Sequence, residues 1–325
     1  MPGLLPVDEL EIQVLVDNTT DMLSSTQPDV AGELRSAAKS RLRMTPARCL
    51  CCAVHGFSCL LTARRGATTR TLLFDTGPEE YAFERNTQRL GVNLGSVEGI
   101  MLSHGHWDHA GAMLSAIGLI RMHNGGANVP YYAHPGMFRS RGMKMQNGGV
   151  RVMEDVPSVQ ELTDHGASVV SSAEPLAVLD DMFHISGEIP RVTAFERGLP
   201  GQVRRTDDGG WEADELLMDE RWLGINVAGK GLVVLTACSH AGVINVLKHA
   251  RASFPDVPLY AVAGGLHLSG TNERIIAATV QAMRDFGLSV IAAGHCTGWR
   301  AVTALANEFG DQTLVPLAVG KRFSF

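Results

Sequence analysis

The chain has 325 residues, of which 45% are hydrophobic and 19% charged, with a formal net charge of −6. That composition fits one large folded core rather than a disordered chain, and the acidic balance leaves no basic footprint for gripping a phosphate backbone, which sets nucleic acid aside. The opening segment MPGLLPVDELEIQVLVDN puts acids where a secretory signal needs its apolar stretch, and no run approaches the ~18 apolar residues that span a bilayer, so a cytoplasmic chain without membrane association is expected.

Apolar runs that end in Gly, Asp, Ser or His read as strands, and the amphipathic stretches between them read as helices. EIQVLVDN is the first strand, and CLCCAVHGFSCLLTAR the second. Cys49, Cys51, Cys52 and Cys59 in that run read as small buried hydrophobes, kept reduced, rather than as a metal knuckle or redox pair. His55 is either a strand histidine or a contact at a site. TRTLLFDTG ends at Asp75, an acid placed either to accept a hydrogen bond from a metal-bound imidazole or to make an Asx turn. EEYAFERNTQRLG is a helix closed by glycine.

The next strand, VEGIMLSHG, runs into the densest chemistry of the chain: His104, His106, Asp108 and His109 fall within six residues, before the helix AGAMLSAIGLIRM. Imidazole nitrogen and carboxylate oxygen suit zinc and similar cations. In an extended turn, residues two apart point the same way, so His104 and His106 can grip one ion. Asp108 and His109 open the following helix and can face a second.

VPYYAHP is another strand, followed by two aperiodic segments, about 136–164 and about 196–214, that read as irregular loop insertions, either substrate loops or surface excursions. GLVVLTACSH, VPLYAVAGG and LSVIAAGH then alternate with the helices AGVINVLKHARASF, NERIIAATVQAMRDFG and GWRAVTALANEFG. Four groups cannot close two coordination shells, and these strand ends offer His240 and His295 as remote ligands. His267, after two glycines, could ligate or contact substrate. Cys238 is either a thiolate ligand or a buried structural thiol. His123, His165, His184 and His249 lack supporting neighbours and read as structural.

LLFDTG followed by SHGHWDHAG, an H-x-H-x-D-H motif, resembles the metallo-β-lactamase superfamily. The segments VDNTTD, AVHGFS, SGEIPR, DELLMDERWLGINV, TACSHAG, AGGLHL and GHCTG resemble more narrowly its dihydropterin-methyl-ribofuranosyl-aminobenzene-phosphate synthase-like branch, from about Glu11 to the end of the chain. The resemblance implies an α/β fold, a four-layer αββα sandwich of mixed sheets with helices outside, in a single domain over 1–325. It implies that His104 and His106 ligate a first metal, that Asp108 and His109 ligate a second, that His295 is the last ligand, and that Asp75 is the structural acid. Two departures follow from it. Where hydrolytic members have their third-motif histidine, near MFHISGEIPR, this chain offers Gly187, Glu188 and an off-register His184. Where they have a bridging aspartate, it has Ala237 and Cys238, and His240 is inferred to complete the first shell, with Glu188 or Cys238 nearby.

The reading taken first is a metal-dependent hydrolase, using one or two divalent ions, zinc before iron or manganese, on an ester, lactone, thioester or phosphoester, with Asp108 handling the proton. The second is a transferase joining a dihydropterin-methyl diphosphate to an aminobenzene ribosyl phosphate, with Arg191, Lys144 or Arg139 as phosphate contacts. The third is a non-catalytic metal-binding sensor. A small-molecule substrate is expected in the first two, and neither metal number nor oligomeric state is legible.

Overall fold

The computed structural model describes residues 3–38 and 50–325. Two large sheets form its centre. The first holds eight strands in the order Val30–Ala31, Arg322–Ser324, Glu9–Val16, Ser58–Arg65, Thr68–Phe74, Gly99–Met101, Val129–Ala133 and Ala167–Ser171. The second holds six, in the order Leu176–Val178, Phe183–Ile185, Leu223–Val227, Gly231–Thr236, Leu259–Gly265 and Val290–Gly294. Each sheet is antiparallel at one side and parallel at the other, the parallel parts being Thr68–Phe74 through Ala167–Ser171 and Gly231–Thr236 through Val290–Gly294.

Alternation along the strands builds the layers. Leu10, Ile12 and Val14 point between the sheets, where they meet Leu61, Phe74, Ile225, Val233 and Leu235. The register of the first strand shifts between Val14 and Val16, so Leu15 and Val16 both turn to the outer face and pack with Phe83, Met113 and Ile117 of the helices Glu80–Leu90 and Met113–His123. In the second sheet Val233 and Leu235 face inward, while Leu232 and Val234 pack outward against Val243, Ile244, Val280 and Leu305 of three further helices. Helix, sheet, sheet, helix is the resulting order, the four-layer αββα sandwich of the metallo-β-lactamase fold. Each fully buried aliphatic side chain contributes about 1.5–3 kcal/mol to it.

Two expectations need correction. The aperiodic segments are not irregular throughout: Arg141–Lys144 and Val150–Val152 from one, and Gln202–Arg205 and Trp211–Ala213 from the other, pair as a four-stranded antiparallel sheet. Its strands are three or four residues long and rich in charge (RGMK, VRV, QVRR, WEA), so they carry too few alternating positions to register as strands. The second predicted strand also starts later than expected, at Ser58. The stretch before it takes its backbone partners from side chains, Cys51 N donating to Glu33 Oε1 (2.7 Å) and Cys52 N to Asn86 Oδ1 (2.9 Å). Cys51 and Cys59 are buried, as expected of small hydrophobes. Cys49 lies outside the described residues.

Candidate metal centre

Parallel strands from both sheets end on one side of the sandwich, and the chemistry sits at those ends, where open α/β architectures collect ligands. Thr68–Phe74 leads to Asp75, Gly99–Met101 to His104, Gly231–Thr236 to Cys238, Leu259–Gly265 to His267 and Val290–Gly294 to His295. The chain turns hard at these tips: Asp75 (φ 56°), Ser239 (φ 59°), His267 (φ 44°) and His295 (φ 46°) all adopt left-handed backbone. Such conformations cost about 1–3 kcal/mol each and persist where the surroundings impose them, typically at functional sites. Close approach of the tips also needs glycine, since a Cβ on Gly264 would sit 1.6 Å from the Thr236 carbonyl oxygen.

His104, His106 and His240 converge on one point. Ser103 donates its hydroxyl to Asp75 Oδ2 (2.7 Å) and so accepts from His104 Nδ1 (3.0 Å), which leaves the Nε2 lone pair of His104 free. Gln202 orients its amide by donating to Asp214 Oδ2 (3.3 Å) and accepts from His106 Nε2 (2.8 Å), which frees Nδ1 of His106. These two freed nitrogens face each other at 3.1 Å. Two lone pairs held face to face in a buried site call for a cation or proton between them, and ~3.3 Å is the spacing of two imidazole nitrogens on one tetrahedral zinc. His240 stands 4.8 and 4.9 Å, ring to ring, from His104 and His106, is 4% exposed, and has a hydrogen-bond partner on neither ring nitrogen among the described residues. His104, Cys238 and His240 bring their donor atoms within 4.8 Å of one another.

Asp108, His109, Cys238 and His295 make a second group. Asp75 Oδ2 accepts from His109 Nδ1 at 2.8 Å, so this acid fixes the imidazole instead of making an Asx turn. Asn18 Oδ1 holds His295 Nδ1 at 3.1 Å, while buried Asp17 accepts from the His295 backbone N–H at 2.8 Å. The four donor atoms are then spaced 3.2 Å (His295 Nε2 to Cys238 Sγ), 3.4 Å (His109 Nε2 to Cys238 Sγ), 3.4 Å (His295 Nε2 to Asp108 Oδ2) and 3.6 Å (His109 Nε2 to Asp108 Oδ2). A tetrahedral zinc with sulfur, nitrogen and oxygen donors needs about 3.3–3.8 Å. The residues present fit divalent cations in both groups, with Cys238 between them.

Electrostatics agrees with that fit in the first group, whereas in the second His109 would have to give up a proton to a cation. Burial pushes His104 and His240 far below the ordinary imidazole range and His106 to about 4, keeping all three neutral, the state that ligates. Burial also disfavours a charge on His109, but Asp108 and Asp75 outweigh it and raise the imidazole to about 9. Burial would raise Asp108, yet His109 and His295 hold its carboxyl well below the usual range. Access comes from this side: the Asp108 side chain keeps 26% exposure, and His55, 69% exposed, reaches it at 3.6 Å.

The remaining candidates lie as follows. His267 packs 4.2 Å, ring to ring, from His240 and so borders the first group. Glu188 stands outside both groups and pairs with His134 at 3.3 Å. Arg191 donates to the carbonyls of Ile189, Leu216 and Leu217. Arg139, just before the small sheet, pairs with Asp207, and exposed Lys144 ends one strand of that sheet. His184 packs against Trp222 and Phe254, His249 accepts from Trp222 Nε1, and His123 and His165 bond carbonyls of their own helices.

Several positioning residues escaped sequence reading. Arg141, 3% exposed, holds Asp214 and Asp219 and donates to the carbonyl of Gly105 inside the motif, while Asp219 accepts from Gly105 N–H. A Cβ on Gly105 would strike Arg141 at 2.1 Å. Glu220 accepts from the backbone of His240 (2.7 Å) and Ala241 (2.6 Å). Asp17 and Asn18 end a predicted strand, and His134 ends another, which was the available signal; Gln202, Asp214 and Arg141 sit in aperiodic sequence with none.

Comparison with known proteins agrees with this geometry. Residues 58–174 match the family model of the metallo-beta-lactamase superfamily. The chain is 29% identical, over 79% of its length and 85% of the relative's, to 7,8-dihydropterin-6-methyl-4-(beta-D-ribofuranosyl)-aminobenzene-5'-phosphate synthase of Methanocaldococcus jannaschii. It is 27% identical, over 78% of its length and 88% of the relative's, to an uncharacterized protein of the same organism. Among solved structures, Tm1679, described as a metal-dependent hydrolase of the beta-lactamase superfamily, superposes with a TM-score of 0.71 at 21% identity, covering 97% of this chain and 98% of that one. Among the described residues no helix is long and apolar enough to cross a membrane.

Proposed function

We propose, from its metallo-β-lactamase fold and the match of residues 58–174 to that superfamily's family model, that the chain is a metal-dependent transferase that couples an aromatic amine to a pterin-methyl carbon with loss of diphosphate. The observation that carries this reading is the likeness to the named synthase over most of both chains. A physical argument supports it. Cys238 occupies the place between the two donor groups, and a thiolate neutralises more of a cation's charge than a neutral imidazole does. The centre is thereby a weaker acid toward bound water, which counts against hydrolysis, while its remaining positive charge can still neutralise a departing anion. When bound, divalent ions held by His104, His106 and His240 and by Asp108, His109 and His295 would supply that neutralisation.

The protein's own groups do the rest. Asp75, Ser103, Asn18 and Gln202 aim the imidazoles, so little reorganisation is required when charge develops. In the step itself the amine nitrogen bonds to the methylene carbon, the carbon–oxygen bond breaks with its electron pair leaving on diphosphate, and the amine gives up one proton. Asp108 Oδ2, ionised and partly exposed, and the neighbouring Nε2 of His55 are placed to take that proton. Cys59, Cys238 and Cys296 are uncrosslinked, which suits the reducing cytoplasm in which we place the enzyme.

Hydrolysis is the second reading, favoured by the same accessible carboxylate, which would serve equally to take a proton from water. Incubation of zinc- or manganese-loaded protein with the pterin-methyl diphosphate and the aminobenzene ribosyl phosphate separates the two. Coupled product with stoichiometric diphosphate supports transfer. Diphosphate release without coupling, or turnover of simple esters alone, supports hydrolysis, and inertness toward every substrate with metal bound defeats both.

A further inference from the structure

The centre described above leaves two donors unused, buried Cys296 and half-buried His267. Cys296 Sγ lies 3.3 Å from Cys238 Sγ. The donor atoms of Cys238, His267 and Cys296 all fall within 4.8 Å of one another. Cys238 is 3% and Cys296 7% exposed. His267 keeps Nδ1 buried without a partner among the described residues, and the adjoining His240 ring has neither nitrogen satisfied. The packing holds the pair closely, since a Cβ on Gly265 would stand 2.6 Å from Cys296 Sγ. The His240 nitrogens belong to the first group, but an unsatisfied nitrogen on His267 beside a dithiol is costly, and a bound cation is a simple remedy.

We propose that Cys238, His267 and Cys296 form a binding site for a soft divalent cation of the zinc class. Two sulfurs and one imidazole select zinc-like ions over magnesium or calcium. Three protein donors leave a fourth position open, and His267 also borders a small pocket with His240 and Asn272. The inference shares Cys238 with the centre proposed above and otherwise uses residues that neither group needs. Cys296 and His267 both follow strand tips in left-handed or tightly turned backbone, so their positions are set by the fold rather than by flexible loops.

The test is cobalt substitution of the full-length protein, stripped with chelator, reloaded with Co²⁺ and desalted. Cys296→Ser should lose about one equivalent of tightly held cobalt, and its thiolate-to-cobalt charge-transfer absorbance should fall to about half, one sulfur of two remaining. His106→Ala should keep that band. His267→Gln should weaken retention of the same equivalent about tenfold and carries the comparison if the serine variant does not fold. Wild-type stoichiometry and an undiminished band in both Cys296→Ser and His267→Gln would overturn the proposal. So would a Cys238–Cys296 disulfide formed with glutathione disulfide while the full metal complement stays bound. If instead His106→Ala loses no metal while Cys296→Ser does, the two-group centre fails and the thiol site stands.

Discussion

Asp75 shows how much one side chain decides. It is fully buried, takes left-handed backbone, and accepts from Ser103 N–H, Ser103 Oγ–H and His109 Nδ1. It thereby sets the tautomer of His109 directly and, through the serine, that of His104. Asp75→Asn puts a competing N–H donor in that position and should lower metal affinity about 10–100-fold, read by competition with a chromophoric chelator. Unchanged affinity would show that the imidazoles orient themselves. At this scale the sequence was legible where chemistry clusters: the 104–109 turn, Asp75, and the histidines at strand tips all come together. Glu188 and Arg191 were legible only as residue types, and folding assigns them to His134 and to backbone carbonyls. Nothing local announces that a glutamine nearly a hundred positions away will finish the shell of His106.

Among elements, the small sheet is the one that sequence periodicity could not show. Its strands are too short and too polar to alternate visibly, and they are held by pairing between two segments far apart in the chain. One of its faces carries Gln202 and Arg141, so it acts as a buttress for the motif turn. Arg141→Met would leave Asp214 and Asp219 buried without their cation, at a cost of about 3–5 kcal/mol. Urea denaturation of wild type and variant checks this, and a change below ~1 kcal/mol would mean the sheet is peripheral to the fold. The large strands and helices, by contrast, were readable because each carries a full turn or several alternations of apolar residues, as Ile12, Val14, Val233 and Leu235 do.

At the scale of the whole molecule, the layered architecture follows from those alternations, and acid sensitivity follows from what the layers bury. Burial lowers the His184 imidazole from 6.5 to about 4. The unfolded chain therefore binds a proton between about pH 6.5 and 4 that the folded chain refuses, so the contribution is intact above 6.5 and is lost as pH falls toward 4. His184→Phe should shrink the drop in unfolding free energy between pH 7 and pH 4.5 by up to about 3 kcal/mol. Parallel slopes for the two proteins would count against it.

The donors of the centre are contributed by strand ends of two separate sheets, from His104 to His295. An unfolded chain scatters them and has no site to offer, so any ion that binds there acts as a fastener for the sandwich as a whole. By mass action a hundredfold excess over Kd adds about 2.7 kcal/mol to stability. The melting temperature then becomes a gauge of occupancy, rising with each metal that fits and falling back when a chelator removes it.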